Sequence, residues 1–389
     1  MSTVGYANWG LSSLHEFLGD LVVYRNLTPI DPRLPPFPAL ARRVGLDPER
    51  IPRKSELNYA RVMGVLLQEA RRLDAPDTEI KRLIYVGDTQ LNDGTAFTNL
   101  CQVQAWPGLA FIGSERGGPP EARRVQVGPA RTLYLANRWS MLHEFNRFCA
   151  QQAFPIDAET AVVIDLDKTA LGARGRNDKV INQARLDAVR QTVQGLLGDT
   201  FDIQVFEQSY HTLNQTEFHP FTTDNQDYLA YLCLIIGMGV ISLDALIQEI
   251  RGGELKAFEQ VLERVDRRAA TLPRGLGTLH RDIYARVRAG DPTPFKRFRH
   301  MEYRTTVARM GHLAADAEVS DLLTHEITLT EEVREIAHLW RSRGALLFGL
   351  SDKPDEASLP DEALQKQGYQ PIHRTPTHAV GERIFPLPG

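Results

Sequence analysis

Three short apolar runs, Leu83-Ile84-Tyr85-Val86, Ala161-Val162-Val163-Ile164 and Ala345-Leu346-Leu347-Phe348, each give way within a few positions to small polar or acidic residues. A strand without polar alternation has to be covered on both faces, which points to a parallel sheet layered between helices. Ligands of such sheets bind beyond the carboxyl ends of the strands, where these polar turns fall. Helical patterns alternate with the runs. Ser55 stands in capping position before a helix whose Tyr59, Val62, Met63, Leu66, Leu67 and Ala70 share one face. Thr328 and Glu331 have capping-box spacing, Val333, Ile336, Ala337 and Trp340 form a stripe, and Gly344 supplies a stop. The expected core is an α/β, Rossmann-like doubly wound parallel sheet.

A chain of 389 residues exceeds one ordinary domain. From about Asn177 to Leu329 the strand-and-turn punctuation stops, and stripes such as Leu246, Ile250, Leu255, Phe258, Val261 and Leu262 take over. The reading is a mostly helical insertion over 173–329, within a core of 1–172 and 330–389. Pro29 to Pro38 is expected to be a loop and Phe154 to Glu159 a linker. The apolar run from Tyr228 to Leu243 is shorter than the ~20 residues of a membrane span and contains Gly237, Gly239 and Ser242, so it reads as a buried helix.

Met1 to Asp20 lacks the basic segment and apolar run of a signal peptide, and the three cysteines, Cys101, Cys149 and Cys233, are too scattered for a disulfide framework. A cytoplasmic protein without a membrane partner is expected. Net charge of -4 gives no general attraction to nucleic acid. The local exception is Phe295-Lys296-Arg297-Phe298-Arg299-His300, which reads either as a basic, aromatic binding strip or as a solvated helix face with two buried aromatics.

Asp165 and Asp167 stand two apart just past the second run, so both carboxylates can face one pocket. Two close carboxylates repel, and a divalent cation or a shared proton has to offset that; the same residues could also form an acidic loop capping a helix. Gly87-Asp88-Thr89-Gln90-Leu91-Asn92-Asp93 follows the first run and adds the oxygen ligands magnesium prefers. Ser351-Asp352-Lys353-Pro354 follows the third with a hydroxyl and backbone N–H groups. Lys54 precedes the expected helix N-terminus, where ammonium and helix dipole both favour an anion. Arg174, Arg176 and Asn177 lie close after the Asp pair as candidate substrate contacts.

Together these pieces resemble the haloacid dehalogenase (HAD) superfamily of phosphohydrolases. Val163-Ile164-Asp165-Leu166-Asp167-Lys168-Thr169 matches its first motif, Ser351 its second, Lys54 its third, and Gly87-Asp88 with Asp93 its fourth. In this chain the motifs run third, fourth, first, second, a cyclic shift of the kind a circular permutation produces. The resemblance implies a magnesium-dependent phosphomonoesterase acting on a small phosphorylated substrate. Asp165 would be the nucleophile, Asp167 the acid/base, and Thr169 the residue ordering their loop. Lys54 and Ser351 would hold the phosphate; Asp165, Asp167, Asp88 and Asp93 would hold Mg2+; and the insertion would form a substrate-selecting cap. Phosphoryl transfer to an acceptor other than water, hydrolysis at a nucleic-acid end and a non-catalytic binding protein of the same fold are the alternatives. The triplet Asp167-Lys168-Thr169 is also similar to the phosphorylation site of P-type ATPases, but there a Thr four residues past the nucleophile is required, and Thr169 has that spacing from Asp165.

Overall fold

The computed structural model describes residues 5–223 and 225–385. Its strands, in chain order, are β1 (Ala7–Ser12), β2 (Val22–Val23), β3 (Arg82–Gly87), β4 (Gly108–Gly113), β5 (Ala122–Gly128), β6 (Arg131–Ala136), β7 (Thr160–Asp165), β8 (Leu329–Thr330), β9 (Leu346–Leu350) and β10 (Thr377–Gly381). Seven form one sheet in the order β2-β9-β7-β3-β4-β6-β5, parallel except for the β5–β6 hairpin. The other three form a small sheet, β1-β10-β8, in which β1 and β10 run antiparallel.

The three apolar runs lie in β3, β7 and β9, adjacent at the middle of the large sheet. All residues of β7 and β9 are buried, as are those of β3 after Arg82. Helices cover both faces. Tyr85, Val163 and Phe348 pack with Met63, Leu66 and Phe97 from helices Leu57–Asp74 and Asp93–Gln104. On the opposite face Phe111 meets Trp139 and Phe145, and Phe145 meets Trp340 of helix Glu331–Ser342. The chain is α/β with a mostly parallel sheet, as the runs imply.

Two caps fall elsewhere than expected. The first helix starts at Leu57 behind Glu56, which makes no side-chain cap, while the Ser55 carbonyl accepts from Asn99 Nδ2 at 2.9 Å. The helix before β9 starts behind Thr330; the Thr328 hydroxyl is bonded to Asn177 Oδ1 at 3.1 Å, so it does not cap the helix. Gly344 does mark the stop, with φ +93°.

Two compact units divide the chain: one runs to Gln183 and resumes at Thr306, the other is Ala184–Thr305. The second unit is helical, and Leu246, Leu255, Phe258, Val261 and Leu262 are buried in its core. Residues 173–183 and 306–329 belong to the first unit. Phe295 and Phe298 are buried, and Arg299 is paired internally with Asp227 and Glu302, so the basic, aromatic strip presents no stacking surface. Tyr228 to Leu243 supplies helix Gln226–Gly237, buried along most of its length. Among the described residues no helix is long and apolar enough to cross a membrane.

Candidate active site

Parallel pairing puts the polar turns side by side. Val86 pairs with Ile164, and Asp165 pairs with Leu350, so Asp88, Asp165 and Ser351 leave the same edge of adjacent strands. The turn after β7 folds back on itself. Lys168 takes φ +64°, Leu171 N donates to Leu166 O at 2.9 Å, and the Thr169 hydroxyl returns to donate to Asp165 Oδ2 at 2.8 Å.

Lys54 crosses to the same place. Its Nζ donates to Asp165 Oδ1 and to Asp93 Oδ1, each at 2.6 Å, and the ammonium is buried with the Tyr85 ring beneath it at 5.8 Å. It reaches the carboxylates directly instead of sitting at a helix end. Burial alone would lower the Lys54 pKa, but Asp165 and Asp93 outweigh it and hold it well above the ordinary lysine value.

Asp93 organises the second loop. Its Oδ1 accepts from Lys54 and Tyr85, and its Oδ2 accepts from the amides of Asp88 and Thr89 and from the Thr89 hydroxyl. Burial opposes ionisation of Asp93, but Lys54 and these hydrogen bonds prevail and bring its pKa down to about 2. With its oxygens so fully taken up, Asp93 supports the loop more than it offers lone pairs. Gly87 makes this possible, since a Cβ there would stand 2.5 Å from Asp93 Cβ.

Asp88, Asp93 and Asp165 each bring a carboxylate oxygen within 4.8 Å of the others. Burial, together with the charges of Asp93 and Asp88, pushes Asp165 well above the usual carboxylate range despite Lys54. Burial and Asp93 push Asp88 to about 7. An all-oxygen, strained anionic set of this kind fits a hard divalent cation.

Asp167, half-buried, lines a small cavity with Ser351, Lys353, Tyr24 and Thr306. Ser351 donates its amide to Val23 O at 3.0 Å and accepts at Oγ from Lys353 N at 3.0 Å. Lys353 is buried, with Nζ 3.3 Å from Thr306 Oγ1. Sequence reasoning passed over this second lysine; its signal was the spacing of two from the strand-end serine.

The three residues proposed as substrate contacts part company. Arg174 reaches the cluster, its Nε donating to Asp88 Oδ2. Arg176 does not: its guanidinium is buried between Glu115 Oε2 at 2.9 Å and Glu332 Oε1 at 2.8 Å and lies against the Tyr6 ring. Asn177 does not either. Its amide donates to Leu323 O and Glu326 O, and its Oδ1 accepts from Thr328, so it ties backbone together in the interior. Both sit on the outgoing segment after Arg174, where charge and polarity could be read from sequence but direction could not.

That segment turns at Gly175, where φ is +79° and an added Cβ would meet the Glu115 carbonyl oxygen at 2.1 Å. Gly175→Ala is therefore expected to lower stability by at least about 1–3 kcal/mol from conformation alone. Denaturant unfolding of the variant checks this, and an unchanged midpoint would contradict it.

A separate cavity of about 800 Å³ lies wholly within the second unit, around Leu197, Gly237 and Leu272. Among the described residues that line it there is no acid or histidine. No family model matches the chain, and no curated protein or solved structure matches it either.

Proposed function

We propose that this chain is a magnesium-dependent phosphomonoester hydrolase of the HAD type with a circularly permuted core. The observation that carries the reading is Lys54 Nζ bridging Asp93 and Asp165 at 2.6 Å each, at the shared edge of three parallel strands from separate parts of the sequence. Lys54, Asp93 and Asp165, which stand in the proposed third, fourth and first motifs, are joined there, Thr169 bonds the proposed nucleophile, and Ser351 leaves the neighbouring strand at the same edge, which supports the reading.

In this reading Asp165 attacks phosphorus, forming an aspartyl-phosphate and expelling the alcohol. Asp167 gives that leaving oxygen its proton and then takes one from the attacking water, a contribution of about 10²- to 10⁴-fold. Lys54 orients Asp165 and opposes the burial that disfavours its ionised form, Thr169 fixes its second oxygen, and Ser351 holds a phosphate oxygen with Lys353 beside it. Magnesium held by Asp165, Asp88 and the Asp167 carbonyl, with Asp93 behind, would supply positive charge against the approach of carboxylate to phosphate. The Ala184–Thr305 unit would act as the cap that selects the substrate.

The test is release of inorganic phosphate from para-nitrophenyl phosphate and a panel of sugar and nucleoside monophosphates, with magnesium or with EDTA. No magnesium-dependent release from any of them counts against the reading.

Metal binding should depend on pH with a defined sign. Asp88 titrates at about 7, raised by burial, so below that pH a cation has to displace its proton. Through Asp88, Mg2+ affinity is expected to rise about tenfold between pH 6 and pH 8. Calorimetric titration at the two pH values measures this; equal affinities would exclude Asp88 as a ligand of that character.

A further inference from the structure

The backbone of Arg174 is pinned. Its amide donates to Lys168 O at 2.8 Å, and its carbonyl accepts from Glu115 N at 2.8 Å and from Trp139 Nε1 at 3.3 Å. Gly175 lies so close to Glu115 that a Cβ there would stand 2.1 Å from its carbonyl oxygen. The side chain is placed differently. It is 36% exposed, Nε bonds Asp88, and the terminal nitrogens have no hydrogen-bond partner among the described residues. A guanidinium fork suits two oxygens of one phosphate, so Arg174 is a fixed base carrying donors that are open above the carboxylates.

Asp88 also belongs to the group able to hold a cation. With all three carboxylates ionised, Asp88, Asp93 and Asp165 exceed the charges of Lys54 and Arg174 by one. A divalent cation would turn that deficit into an excess of one, and a guanidinium on the same carboxylate would then be repelled by its neighbour. A phosphate dianion arriving beside it would offer Arg174 a better, bidentate partner.

We propose that Arg174 and the divalent cation are alternative partners of Asp88, and that cation binding releases Arg174 to grip the substrate phosphate. This rests on the metal-dependent reading above and adds a coupling to it: because linkage is reciprocal, Mg2+ and phosphate each tighten the other's binding through Arg174. The opposite arrangement keeps Arg174 on Asp88 as an orienting partner behind the metal. The two differ in sign, since loss of such a partner typically weakens metal binding by about 10- to 100-fold.

Calorimetric titration of Mg2+ into the full chain and into Arg174→Met, each with and without inorganic phosphate, separates them. Without phosphate, Arg174→Met should bind Mg2+ about tenfold more tightly than the parent, and phosphate should tighten Mg2+ binding far less in the variant. Arg174→Lys keeps the charge and loses the fork; it should retain the weaker Mg2+ binding of the parent and still lose most of the phosphate coupling. Weaker or unchanged Mg2+ affinity in Arg174→Met overturns the proposal while leaving the hydrolase reading in place. Failure of the parent chain itself to bind Mg2+ overturns both.

Discussion

Asp165→Asn should abolish phosphate release, with a loss of at least about 10⁴-fold in kcat, and leave the protein folded. The amide matches the carboxylate in size, so the buried position between Lys54 and Thr169 is not emptied. One amide oxygen can still accept from Lys54 or from Thr169; the NH2 group must face the other donor, which costs about one hydrogen bond. Against that stands the removal of a carboxylate that burial and two acidic neighbours already disfavour as an anion. The two effects oppose each other, so the unfolding midpoint should move little while chemistry stops, because an amide cannot form the acyl phosphate. Phosphate release with steady-state kinetics, paired with denaturant unfolding, makes the measurement. Turnover within tenfold of the parent would remove Asp165 from the role of nucleophile.

How much of this could be read from sequence differs by element. The runs in β3, β7 and β9 announced themselves because strands buried on both faces need no polar alternation. β4, Gly-Leu-Ala-Phe-Ile-Gly, carries the same kind of signal between two glycines and is followed by Ser114-Glu115, but a glycine at each end shortens its apolar stretch to four residues. The two-residue strands β2 and β8 have no periodicity to detect, and their existence depends on neighbours supplied by the fold. The β5–β6 hairpin lies at the sheet edge with half-buried, arginine-bearing residues, which blurs its alternation.

The site shows the same division. Asp88, Asp165 and Ser351 were legible as residues following buried strands, and their adjacency follows from parallel register. Lys54 was legible as a charge near a helix but not as the bridge between Asp93 and Asp165, which requires knowing that its helix packs on the sheet beside β3. Arg176 and Asn177 failed because side-chain direction on an irregular segment is set by tertiary partners, here Glu115, Glu332 and Thr328, far away in sequence. The helical unit was visible as a change of period, while its limits, Ala184–Thr305, depend on where long helices leave one core for another.

Lys54→Met is expected to lower stability by about 3–5 kcal/mol at pH 8 in EDTA, the usual cost of removing one member from a buried ion group. Lys54 is 6% exposed, so solvent does little to screen its partners, and methionine fills the stem's volume while leaving the charge out. Asp93 and Asp165 would then face each other without a cation. Asp165 already sits above the usual carboxylate range, and loss of Lys54, which lowers it, moves it further up; Asp93, now held at about 2, loses its chief counter-charge. The sign follows from proton binding. A carboxyl whose folded pKa lies above its unfolded value near ~3.9 binds more protons when folded, so its folded form is favoured at low pH and loses stability as pH rises. The deficit of Lys54→Met relative to the parent should therefore be small near pH 4 and grow toward pH 8. Mg2+, by restoring positive charge among the same carboxylates, should recover part of the loss at pH 8 and little at pH 4, where protons occupy them. Denaturant unfolding of parent and variant at both pH values, with Mg2+ and with EDTA, gives the four differences. A deficit of equal size in all four would mean that Lys54 acts through packing alone, and the charge bridge between the two loops would lose its place in the site.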